Sequence, residues 1–218
     1  MLLLVGLGNP GPKFARSRHN VGFLALHEIV ERYGFSKFRR RFYGHVSEGT
    51  LGGRNTLALK PATYMNRSGE AVRAAKSFYK IASADIVVFQ DEIDLASGKL
   101  RTKRGGGNAG HNGLRSIDAH IGPDYRRVRI GVGHPGKKYV VKNHVLGDFN
   151  NADNRWLLPL VEAIAEAATF LALDDDPGFS NKVALLRQPT TRSKTCWCDT
   201  KASNRASYSA HLRIANSC

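Results

Sequence analysis

Three short apolar runs, Leu2–Leu7, Asp85–Phe89 and Val128–Val132, each stop abruptly at glycine, proline or acidic residues, and helically spaced segments lie between them. A short apolar run bounded by turn residues reads as a strand buried on both faces. The helical patterns run from Asn20 to Gly34, with Val21, Leu24, Leu26, Ile29 and Val30 on the apolar spacing, then over Ser68–Lys80 and Asn112–Gly122. Two more follow, Asp153–Leu173, holed by Pro159, and Ser180–Leu186. Phe42–Leu51 and Thr56–Leu59 flank Gly52-Gly53 and read as a hairpin, Leu100–Arg104 as a further strand, and Pro12–His19 as a loop. Strands alternating with helices predict an α/β fold: a single domain with a mixed, largely parallel sheet flanked by helices on both faces. In open sheets of this kind ligands bind beyond the carboxyl ends of the strands, which draws together Gly8–Gly11, Gln90–Glu92 and Gly133–Gly136.

Charge narrows the partners. Among 218 residues the formal net charge is +15, which points to a polyanion and says nothing about fold. All three cysteines, Cys196, Cys198 and Cys218, follow Pro189, in a stretch rich in serine, threonine, arginine and lysine with no apolar period. The sequence therefore divides into a catalytic-type body, residues 1–189, and a basic tail, residues 190–218, expected to be disordered. The body carries most of the cationic surplus and no cysteine, so it is no disulfide scaffold. Cys196-Trp197-Cys198 is too closely spaced for a usual zinc pairing. No apolar run approaches the roughly 20 residues that span a bilayer, and Met1–Gly11, without basic residues and with too short an apolar stretch, is not expected to act as a signal peptide. A soluble, cytoplasmic protein is expected.

Gly6, Gly8 and Gly11 match the dinucleotide-binding spacing, as do Gly131, Gly133 and Gly136. That motif needs a helix starting at the loop, with its N-terminus on the pyrophosphate. Pro10 and Pro12 bracket Gly11, the helical pattern starts only at Asn20, and Lys37-Phe-Arg-Arg-Arg41 occupies the region where an acidic residue belongs. The glycines read better as turn residues, and a dinucleotide-dependent enzyme is the weaker alternative.

Chemistry-capable groups cluster in four blocks: Arg18-His19-Asn20, Tyr64-Met65-Asn66-Arg67-Ser68-Gly69, Gln90-Asp91-Glu92 and Gly110-His111-Asn112-Gly113. They supply imidazole, a carboxylate to orient it and neutral amides. The body offers neither a G-x-S-x-G nucleophile nor a cysteine, and the histidines show no H-E-x-x-H metal spacing.

Six ordered blocks resemble the bacterial peptidyl-tRNA hydrolase family over about residues 1–189: Val5-Gly-Leu-Gly-Asn-Pro-Gly11, Arg18-His-Asn-Val-Gly22, Lys60-Pro-Ala-Thr-Tyr-Met-Asn-Arg-Ser-Gly69, Asp91-Glu-Ile-Asp-Leu95, Gly105-Gly-Gly-Asn-Ala-Gly-His-Asn-Gly-Leu114 and Arg129-Ile-Gly-Val-Gly-His-Pro-Gly136. The resemblance implies a monomeric, cofactor-free, metal-free α/β hydrolase with no obligate protein partner and no membrane association. Such an enzyme cleaves the ester between a stalled peptide and the 3′ ribose of tRNA. It implies His19 as general base, Asp91 as its partner and Asn9 as the sensor of a blocked α-amino group. By the same resemblance Phe14, Tyr64, Asn66 and Asn112 contact peptidyl-tRNA, and Lys103 and Arg129 lie near tRNA phosphates. Phenylalanine at position 14 stands where the family usually has tyrosine, and tyrosine at 64 where phenylalanine is common.

The residues suit those roles. Water attack on an ester needs a base near neutral pKa, which histidine supplies. The helix expected after His19 favours a neutral ring, whereas Asp91 favours the imidazolium. A side-chain amide can stabilise the oxyanion. Arg101, Lys103, Arg104, Arg126, Arg127, Arg129, Lys137 and Lys138 bracket the glycine blocks near the expected mouth, where each reads either as a phosphate contact or as part of a solvated charged face. The alternative from another class is a non-catalytic basic RNA-binding domain.

Overall fold

Leu2–Gly6 forms the middle strand, β1, of the sheet in the computed structural model, which describes residues 1–136 and 138–188. The chain continues through α1 (Val21–Arg32), β2 (Arg39–Arg41), β3 (Gly44–Leu51), β4 (Arg54–Pro61), α2 (Ser68–Tyr79) and β5 (Ile86–Glu92). It then runs through β6 (Leu100–Arg104), α3 (Asn112–Ile121), β7 (Arg126–Gly131), α4 (Val141–Leu146), α5 (Asn154–Ala172) and α6 (Asp176–Leu186). The sheet order is β2-β3-β4-β1-β5-β7-β6. Its centre is parallel, β4 with β1, β1 with β5 and β5 with β7, while β2, β3 and β6 attach antiparallel at the edges. No helix among the described residues is long and apolar enough to cross a membrane. The expected tail, residues 190–218, lies outside the described residues.

The period-two geometry of β1 explains why it is apolar throughout. Leu2 and Leu4 face a core shared with α1, α5 and α6, through Leu26, Ile29, Leu160, Ile164 and Phe179. Leu3 and Val5 face the opposite core, shared with α2 and α3 through Val72, Ala75, Leu114 and Ile117. Burying each such side chain contributes about 1.5–3 kcal/mol, so the strand fits only between two helical layers.

The expected mixed sheet with helices on both faces is borne out, and the departures have local causes. Arg39–Arg41 carries no apolar signal, yet it pairs with β3 as an edge strand. Cations suit an edge, where they discourage pairing with another chain. Pro159 does not interrupt α5, because Leu157, Leu160 and Val161 around it are all buried. Their packing offsets the roughly 3 kcal/mol of an interior proline. α6 begins four residues before Ser180 because Asp175 caps it, accepting a hydrogen bond from Gly178 N at 2.8 Å. Within the expected loop Pro12–His19, two short 3-10 turns form, Pro12–Phe14 and Arg18–Asn20.

Two glycines set how closely α1 approaches the sheet. A Cβ on Gly6 would lie 2.5 Å from Gly22 O, and one on Gly22 would overlap the Phe89 carbonyl and lie 2.6 Å from Leu7 N. Gly6 thus serves helix packing, and no helix opens at Gly11, since α1 starts at Val21. The dinucleotide-loop geometry does not form. We expect Gly22→Ala to lower unfolding free energy by about 2 kcal/mol, as overpacking does. Urea unfolding checks this; an unchanged midpoint contradicts so tight a fit.

Candidate active site

The carboxyl ends of β1, β4 and β5 open onto one face, where the turns leading into α1, α2 and α3 converge. Asp91, next to last in β5, is buried there at 3% exposure. His19 comes from the turn ahead of α1, and its Nδ1 lies 2.8 Å from Asp91 Oδ1. His111, the N-cap of α3, places Nε2 3.0 Å from the same oxygen. The two rings are 5.0 Å apart between centroids.

The hydrogen bonds assign the protons. His111 Nδ1 accepts from Gly113 N at 3.1 Å and from Leu114 N at 3.3 Å, so that nitrogen keeps its lone pair. The His111 proton therefore sits on Nε2 and is donated to Asp91. His19 donates Nδ1–H to Asp91, which leaves His19 Nε2 with a lone pair. Burial by itself would raise the Asp91 pKa, but the charges and hydrogen bonds of His19 and His111 hold the carboxyl well below the usual carboxylate range. Burial likewise disfavours a charged His19, yet the charge and hydrogen bond of Asp91 prevail and raise its pKa above 6.5. The carboxylate thus acts on His19 in the expected direction, and what opposes it is burial.

Asn9 is locked from two sides. Asn20 Oδ1 accepts from Asn9 N at 2.8 Å, and Asn20 Nδ2 donates to Asn9 O at 2.9 Å. Asn9 Oδ1 accepts from Met65 N at 2.8 Å. With its oxygen engaged, Asn9 presents its Nδ2 as a donor. Asn66 follows Met65 in the turn before α2, and Asn112 follows His111 as the first residue of α3; both are exposed, and neither amide bonds another described residue. Phe14 is half-buried in the turn after Asn9, and Tyr64, ahead of Met65, is 62% exposed. His111, Asn20 and the Met65 backbone N–H were not assigned roles from sequence. His111 carried a signal, a side chain one residue before a helix start within Gly-His-Asn-Gly.

His19, Asp91 and His111 also lie close enough together to be tested as a metal site. A neutral imidazole has one lone pair, and that of His111 is taken by two backbone N–H groups. Its Nε2 is a donor and cannot ligate. The donor set therefore fits a hydrogen-bonded triad and does not fit a metal. A separate apolar cavity of about 660 Å³ runs past Asn9 and Asn20 between Phe23, Phe38 and Leu157, and neither His19 nor Asp91 lines it.

The expected cations divide. Arg126 and Arg127 are both 2% exposed. Arg126 pairs with Asp174 and Asp176, and Arg127 with Asp118 and the carbonyls of Gly106 and Gly107. They are corrected to internal ties: as the first residues of β7, they are covered by α5, α6 and the 105–111 loop. Arg129 stands opposite Gln90 on β5, is half-buried, and donates Nε–H to Glu92 at 2.8 Å. In the β6–β7 register Arg101 faces Arg129 and Lys103 faces Arg127. Like charges directly opposed are destabilising, and Glu92 and Asp118 offset the β7 member of each pair. Arg101 and Lys103 are exposed and have no carboxylate partner among the described residues. The Lys137 expectation lies outside the described residues, as does the Lys138 side chain. We expect Arg127→Ala to cost about 3 kcal/mol of stability, as a broken buried pair does. Arg101→Ala should leave stability unchanged and reduce the salt dependence of polyanion binding. Unfolding curves beside salt-titrated binding separate the two.

The sequence model of the family described as peptidyl-tRNA hydrolase matches residues 3–192. A peptidyl-tRNA hydrolase of Parvibaculum lavamentivorans is 59% identical over 195 residues, covering 89% of this chain and 95% of the relative. One of Bradyrhizobium diazoefficiens is 58% identical over 188 residues, covering 86% and 94%. The crystal structure of peptidyl-tRNA hydrolase from Acinetobacter baumannii superposes with a TM-score of 0.80 at 39% identity, over 84% of this chain and 94% of that one.

Proposed function

This chain belongs to the peptidyl-tRNA hydrolase family and hydrolyses the ester of peptidyl-tRNA, and from that premise we propose that His19 is the general base, oriented by Asp91. The observation that carries this reading is the 2.8 Å bond from His19 Nδ1 to Asp91, which leaves Nε2 as the basic atom of the pair. A water between Nε2 and the ester carbonyl loses its proton to Nε2 as its oxygen bonds the carbon. Asp91 stabilises the imidazolium that forms. The tetrahedral intermediate then collapses, and the ribose oxygen leaves with the proton returned from His19 Nε2. The products are a free peptide carboxylic acid and tRNA.

Asn9 Nδ2 offers an N–H to a peptide carbonyl or to the oxyanion, an interaction typically worth 10²–10³ in rate. Met65 N fixes the direction of the Asn9 amide, so discrimination against unblocked aminoacyl-tRNA rests on geometry: Nδ2 is left to the substrate, and the oxygen, which keeps a second lone pair, is turned toward Met65. Asn66 and Asn112 flank the substrate, with Phe14 and Tyr64 as ring surfaces for it. Lys103 and Arg129, joined by Arg101, meet tRNA phosphates, and phosphate contacts of this kind carry no sequence preference. The base, its partner and the amides all come from one chain, which supports a monomer acting in the cytoplasm, where its substrate is.

N-acetylaminoacyl-tRNA should be cleaved and free aminoacyl-tRNA spared, with His19→Ala losing at least about 10³-fold in rate while remaining folded. The acid limb of kcat/KM should have its midpoint above 6.5, because a raised His19 pKa keeps the base protonated to higher pH. Equal cleavage of both substrates, or an active His19→Ala protein, sinks the reading. We also propose residues 1–189 as the whole catalytic unit, since the last described helix ends at Leu186. Deleting 190–218 should leave kcat unchanged, with at most weaker tRNA binding from lost cations, as single-turnover and binding assays will read.

A further inference from the structure

His111 is a second imidazole on the one carboxylate the mechanism depends on, and that mechanism gives it no step. Its geometry is specific. One ring edge caps α3 by accepting from Gly113 N and Leu114 N, and the other donates to Asp91 Oδ1, the oxygen that also receives the His19 proton. His111 is 9% exposed at its side chain, so water does not substitute freely for either bond.

We propose that His111 is a positioning residue that draws charge from the shared Asp91 oxygen, so that His19 holds its proton less tightly than a two-member pair would. An N–H donated to a carboxylate oxygen lowers the electron density available to a second donor on that oxygen. Without His111, Asp91 would bind the imidazolium form of His19 more strongly, and the base would be spent at neutral pH. The cap sets the direction of the effect, because two backbone N–H groups occupy His111 Nδ1 and leave Nε2 as the donor to Asp91. Among the described residues, the titratable groups bonded to Asp91 are His19 and His111. Its neighbour Glu92 is turned away, accepting from Arg129 Nε and Asp94 N.

This inference rests on His19 as the base, and its test separates the two claims. His111→Asn retains an N-cap oxygen for α3 but cannot also reach Asp91 as the longer imidazole does. The His19 Cε1–H titration by NMR should move up by about half a pH unit or more in this variant. The acid limb of kcat/KM should follow, giving about a threefold loss below the midpoint, with recovery at higher pH. A His19 titration that is unmoved or lowered overturns the inference. A raised titration with an unmoved kinetic limb supports the sharing and refutes His19 as the base. In the parent protein, ¹⁵N shifts should place the neutral His111 proton on Nε2, toward Asp91. A proton on Nδ1 instead overturns the inference without any variant.

Discussion

Asp91 is an ionised carboxylate taken out of water at the end of a central strand, and the molecule is arranged around keeping it so. An isolated buried charge is penalised by several kcal/mol even after relaxation, and excellent hydrogen bonding is what offsets it. Two ring N–H groups on one oxygen provide that, and they arrive from opposite helical layers: His19 ahead of α1, on one face of the sheet, and His111 ahead of α3, on the other. The convergence depends on backbone proximity. Gly6 and Gly22 let α1 sit against β1, and a Cβ at Gly113 would lie 2.6 Å from Met65 Sδ. The same contact seats α3 against the turn whose backbone N–H locks Asn9.

That arrangement yields a site made of one proposed base and several hydrogen-bonding groups held in fixed directions. Each donor has its direction set by a bond on its other side: Asn9 by Met65 and Asn20, His111 by the start of α3, His19 by Asp91. Locked amides and a tuned imidazole suit an ester hydrolysed directly by water, since the developing charge meets groups already in place. The cations of β6 and β7 lie beside the loop that carries His111, so the proposed phosphate contacts and the proposed chemistry share one edge of the sheet.

Much of this was legible from the chain. The double-faced burial of β1 follows from its unbroken apolar run, and the grouping of Asn9 with Asp91 follows from strand ends. Other features left no pattern. Arg39–Arg41 becomes a strand only because β3 offers it an edge. Pro159 stays inside α5 because its neighbours are buried on the core face. Arg126 and Arg127 read as surface cations, since nothing local to them reveals Asp118, Asp174 and Asp176 folding back over them.

By itself, then, the sequence determined the α/β class, the family blocks and the roster of reactive groups, because apolar period and turn residues act over a few neighbours. Only the tertiary structure decided which nitrogen of each histidine carries a proton, which end of Asn9 is held by the backbone, and which arginines are tied to carboxylates. Those are set by hydrogen bonds across 20 residues between His111 and Asp91, 56 between Asn9 and Met65, and 72 between His19 and Asp91. No local spacing encodes a partner at that distance; the packing of α1 and α3 on the sheet brings it within reach.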